Sequence, residues 1–128
     1  MGILSEKSNK SYNAAILLLS KAHYCNSIQC SYFSCLQLAK DKILTNSTDP
    51  ERLERELKAS NSSHKDIIQK ARDSVKGNPR EKGLMTETML KMKRWRTNAI
   101  YDNVQFLEIN ASDAIDNCNT VNHILNKI

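Results

Sequence analysis

A chain of 128 residues with only three Gly, two Pro and 5% aromatics lacks the turn signals of a β-sandwich or barrel. Its many helix formers point to one all-α domain over residues 1–128, with a single modest core. The net charge of +5 and a pI near 9.1 favour an anionic partner, weakly. The longest apolar run, residues 14–19, is far too short for a bilayer, and the first residues read neither as a signal peptide nor as a myristoylation site. A cytoplasmic protein with no membrane partner is expected.

The first helix is expected over residues 5–24, where Tyr12, Ala15, Ile16, Leu19 and Ala22 repeat at helical spacing. His23 falls at its C-terminal end, where the helix dipole favours it. Asn26 and Ser27 can cap a second helix reaching about Leu44. Its apolar face is Ile28, Tyr32, Cys35, Leu36, Ala39 and Ile43, with Phe33 off that stripe. Ser27, Ser31 and Ser34 are small enough to let another helix approach closely. A polar loop over residues 45–50 follows. Thr48 and Glu51 have capping-box spacing, and Pro50 suits a first helical turn.

A short charged helix is expected from Glu51 to Ala59, its charges on a solvated face. Residues 61–63 should break it and cap a further helix through Val75, ended by Gly77, Asn78 and Pro79. His64, in the first turn of that helix, reads as an exposed polar residue. A long helix is expected from Gly83 to Asp102, then a connection over residues 103–109 anchored by Phe106 and Leu107. Asn110 would cap the last helix, with Asp113 at the capping-box position and Ala111, Ala114, Ile115, Cys118, Val121, Leu125 and Ile128 inside. Five or six helices in a bundle result.

Several kinds of chemistry have no support. The chain has no Gly-rich phosphate loop, no H-E-x-x-H and no zinc-spaced Cys/His cluster. Cys25, Cys30, Cys35 and Cys118 form no C-x-x-C pair and are expected to be reduced thiols. His23, His64 and His123 are scattered. The carboxylate pairs Glu51 with Glu54 and Asp113 with Asp116 lie on polar helix faces. No metal and no cofactor is expected.

One residue does not fit its surroundings. At about 100° per residue, Met85, Met89, Met92, Arg96 and Ala99 share one stripe of the long helix. A charge on a core-facing stripe needs a partner, a wet cavity or an anion. Around it lie Lys91, Lys93, Arg94 and Asn98, then Tyr101 and Asp102.

The spacing of Arg96, four residues, Tyr101 and Asp102 resembles the arginine–tyrosine–aspartate signature of many HEPN (higher eukaryote and prokaryote nucleotide-binding) domains. The aromatic, alanine-bearing segment 31–40 resembles the second helix of that family, and segment 106–115 is similar to its closing acidic helix. The resemblance implies an antiparallel four-helix-bundle core with one or two additional short helices. It also implies a homodimer, with Arg96 from each subunit facing one cleft that binds RNA or a nucleotide.

Many such domains are metal-independent endoribonucleases of toxin–antitoxin or phage-defence systems; others are inactive subunits that bind a partner such as a nucleotidyltransferase. The resemblance assigns catalysis to Arg96 and Tyr101 and places Arg96 and Asp102 at the ligand; Arg94 and Asn98, from the same basic run, are further ligand-binding candidates. A guanidinium suits a phosphate in its fork geometry. Catalytic members carry histidine where this chain has Tyr101, and a phenol of ordinary pKa about 10 is a poor base at neutral pH. Arg96 and Tyr101 also stand about 140° apart on an ideal helix, so a dimer mate or a distortion is needed to join them.

Overall fold

The computed structural model describes residues 2–101 and 105–128, and the described residues form six α-helices and no strand. They are α1 (Ile3–Ser20), α2 (Tyr24–Thr45), α3 (Pro50–Ala59), α4 (Ser63–Ser74), α5 (Pro79–Tyr101) and α6 (Glu108–Leu125). None is long and apolar enough to cross a membrane. The second helix is the hub, packing against each of the other five.

The first boundary falls earlier than expected, because α1 stops at Ser20 and His23 precedes α2 instead of ending α1. The stop is a left-handed residue, Ala22, at φ 62°. The His23 N–H donates to Leu18 O and the Ala22 N–H to Leu19 O, which satisfies the last carbonyls of α1. Glycine normally fills this position; alanine there costs about 1–2 kcal/mol. Asn26 and Ser27 therefore lie inside α2 and cap nothing. The Ser27 hydroxyl donates instead to Ala15 O of α1, at 2.7 Å.

Ser8 makes the matching bond further along, donating to Ser34 O at 2.7 Å. As the α1 partner moves back the α2 partner moves forward, so the two helices run antiparallel. Ser27, Ser31 and Ser34 are fully buried, as their small size led us to expect. The interior is built from the anticipated face of α2, from Met85, Met89 and Met92 of α5 and from Cys118, Val121 and Leu125 of α6. Burying each methionine contributes about 1.5–3 kcal/mol. The four cysteines are free thiols, Cys35 and Cys118 in the interior. Burial pushes the Cys35 thiol up, and Cys118 beside it adds to the rise.

Three further caps differ from the sequence reading. Asp49, not Thr48, caps α3 by accepting from the Arg52 N–H. Asn78 and Pro79 open α5 instead of closing α4, the Asn78 side chain accepting from the Glu81 N–H at 2.9 Å. The last helix starts at Glu108, and Asn110 reaches back from inside it to accept from the Leu107 N–H. Phe106 anchors the connection as expected, against Trp95 at 6.4 Å between centroids, while Leu107 is exposed. The charges of α3 do face outward, with Leu53 and Leu57 alone buried.

Candidate anion-binding cleft

Three helices supply the surroundings of Arg96. After α3 ends, the Ser60 hydroxyl accepts from the Ser62 N–H and donates to the Asp66 carboxylate. That turn sets the start of α4 and engages its first-turn acid. Ser62, the residue before α4, makes no side-chain cap bond, so the helix start is left without the usual internal acceptor. His64 and Lys65 follow at once, two basic residues where the dipole favours acids. On α5, Lys93 and Arg96 are three positions apart and so share a face.

These pieces enclose a cleft of about 440 Å³, lined by Asn61, Ser62, Ser63, His64, Lys65, Lys93 and Arg96. No carboxylate among the described residues lines it. The Arg96 guanidinium carbon stands 5.2 Å from the centroid of the Phe33 ring, which explains a ring placed off the buried stripe of α2. Its Nε is buried and has no hydrogen-bond partner among the described residues. An unmatched buried donor costs about 1–3 kcal/mol, more when charged.

His64 is not the exposed polar residue its position suggested: it is half-buried, with Nδ1 at 3.0 Å from the Tyr32 hydroxyl. Burial pushes the imidazole below the ordinary histidine value, and the charges of Arg96 and Lys93 push the same way. Burial pushes the Tyr32 phenol up, against a smaller downward pull from Arg96, so Tyr32 keeps its proton. A buried hydroxyl proton needs an acceptor. Nδ1 is the partner available to it among the described residues. Tyr32 therefore donates to Nδ1, and the proton of the neutral ring lies on Nε2. The basic groups facing the cleft are thus all donors: guanidinium, two ammonium groups and an imidazole N–H. That suits a phosphate or carboxylate, not a cation.

Of the other site residues named from sequence, the described ones do not join Arg96. Arg94 is exposed, Asn98 is half-buried, and neither lines the cleft. Tyr101 ends α5 at 73% exposure and does not line the cleft either. Asp102 lies outside the described residues. The sequence reading gave His64 no role in a site and did not single out Lys65; the signal available was a pair of adjacent basic residues in the first turn of a helix, ahead of its acid Asp66. Among the described residues no group of three or more His, Cys, Asp or Glu side chains could hold a metal ion. A larger hollow of about 570 Å³ beside the α1–α2 turn has no Lys, Arg, Asp or Glu among the described residues of its lining. No family model matches the chain, and neither a curated protein nor a solved structure is detectably similar to it.

Proposed function

We propose that this chain is a HEPN-like domain, an antiparallel four-helix-bundle core with added short helices, that binds the phosphates of RNA or of a nucleotide through Arg96. The observation that carries the reading is the Nε of Arg96, without a partner among the described residues, in a cleft to which those residues bring basic donors and no carboxylate. A phosphate oxygen would satisfy that nitrogen, and Lys93, Lys65 and His64 would surround the remaining charge. In this reading the protein is a cytoplasmic homodimer, a component of a toxin–antitoxin or phage-defence module.

The cleft supports binding better than cleavage. Transesterification of RNA needs a group that accepts the 2′-hydroxyl proton, and Nε2 of His64 already carries one. The endoribonuclease form requires Tyr101 of a second copy to complete the site. Labelled oligoribonucleotide should bind the purified protein, more weakly with added salt, and remain intact in EDTA. Cleavage in EDTA that stops on Arg96→Ala and on Tyr101→Phe would establish the nuclease instead.

A second reading has its own support. Ile100, Tyr101, Leu107 and Ile109 are large apolar side chains left exposed near the facing ends of α5 and α6. In a catalytically inactive adaptor they would dock a cognate antitoxin or a nucleotidyltransferase-like subunit, whose carboxylate would pair with Arg96. Arg96→Ala would then weaken the protein complex and leave RNA affinity unchanged.

A further inference from the structure

The basic cleft does not end at His64. A second hollow, of about 270 Å³, shares Ser63 and His64 with it. Its remaining wall is mainly apolar, from Leu4, Leu36, Leu57 and Ile67. The polar groups on its rim already have partners. Lys40 and Lys58 both pair with Glu54, at 3.8 and 3.7 Å, and the Gln37 amide bonds with Ser11. Two adjoining sites of opposite character therefore meet at one imidazole.

We propose that the two hollows form a single nucleotide site, with the phosphate on Arg96 and Lys93, the base in the apolar slot and the sugar across His64. A nucleotide has this sequence of chemistry: a charged end, a hydroxylated middle and a flat ring with apolar faces. The Nε2 proton of His64, held there by Tyr32, is a donor to a sugar or phosphate oxygen at the junction. The slot offers area rather than unpaired hydrogen-bonding groups, so it selects a base by size and not by its edge. A purine, with more apolar surface, binds more tightly than a pyrimidine. The proposal rests on the phosphate-binding reading of the cleft. The same unit is found in a free mononucleotide and in an RNA strand.

The test is calorimetric titration with inorganic phosphate, ribose 5-phosphate and 5′-AMP, each against wild type, Arg96→Ala and Leu4→Trp. We expect 5′-AMP to bind at least tenfold more tightly than ribose 5-phosphate, and all three to weaken on Arg96→Ala. Crowding the slot with Leu4→Trp should remove the advantage of AMP while phosphate binding persists. In the wild type, methyl NMR signals of Leu57 and Ile67 should shift with AMP and not with phosphate, a readout that does not depend on the variant folding. Equal affinity for AMP and ribose 5-phosphate, with Arg96 still required, overturns the base slot and leaves the phosphate cleft standing. Binding that ignores Arg96 overturns both. Tetra-adenylate that displaces AMP assigns the site to a strand and tetra-adenylate that fails to displace it assigns the site to a free nucleotide; either supports a nucleotide site.

Discussion

On the side of α2 that meets α1, the hydroxyls of Ser8 and Ser27 each donate to a backbone carbonyl across the helix pair, and Ser34 accepts from Asn122 at 3.4 Å. On the side that meets α4 and α5, Tyr32 donates to His64 and Arg96 keeps a buried nitrogen without a partner. Both regions are polar and both are packed against the same helix. They differ in whether the polar groups close upon one another. Ser31, Asn117 and Asn122 each also keep one buried polar atom without a partner among the described residues, but these groups are neutral and cost far less than a charged donor. Closed polar pairs fix how two helices approach. An unclosed set of like charges opposes folding and is retained, on this account, for a ligand.

The largest effect should come from breaking the closed side. Ser34 is fully buried between α1 and α6, so Ser34→Leu adds methylenes where none fit. We expect a loss of about 1–3 kcal/mol in urea unfolding, with RNA binding by the folded fraction unchanged. Ala22→Gly should act in the opposite direction on the same side. Relief of the left-handed alanine outweighs the added freedom of the unfolded chain, for a net gain of up to about 1 kcal/mol in the same assay. A loss there would mean the α1–α2 turn is not strained.

A smaller effect sharpens the open side. The charges around His64 are Lys65 on α4 and Lys93 and Arg96 on α5 on the cleft side, and Lys40 of α2 and Lys58 of α3, both paired with Glu54, on the side of the apolar hollow, with the Tyr32 hydroxyl from α2. With its value held low, His64 is neutral in the folded protein where the unfolded chain would begin to take up a proton. Its contribution to stability is therefore complete above the ordinary value of about 6.5 and is lost as pH falls below it. A bound phosphodiester would offset the part of that shift due to Arg96 and Lys93, though not the part due to burial, so binding should favour the protonated ring. Affinity should rise a few-fold as pH falls from about 7.5 to about 5.5, over the range in which a histidine titrates. His64→Gln should flatten that profile; an unchanged slope would place the titrating group elsewhere.

The existence of each helix could be read from spacing, because the stripes on α2, α5 and α6 are long and regular. Their ends were harder to read, for reasons specific to each. Ala22 carries no mark of a left-handed residue, whereas Asn26 and Ser27 look like a cap until the Ser27 hydroxyl is seen to bond across to α1. Asn78 and Pro79 punctuate equally well as a stop or a start. Arg96 stood out because a charge among methionines breaks a local pattern. His64 did not, because its importance comes from Tyr32 and Arg96, which only the packing of α2, α4 and α5 brings to it. Tyr101 drew attention through its spacing from Arg96 alone, and within one chain that spacing carries it to solvent.

The central claim is that Arg96 is kept unpaired for a phosphate, and Arg96→Met tests it most directly because methionine continues the stripe of Met85, Met89 and Met92. Affinity for a labelled oligoribonucleotide and the midpoint of urea unfolding would be measured on the same samples. We predict that affinity falls tenfold or more while stability is unchanged or higher, since an unmatched donor has been replaced by an apolar side chain. Unchanged affinity together with a clear loss of stability would contradict the account and make Arg96 a structural residue.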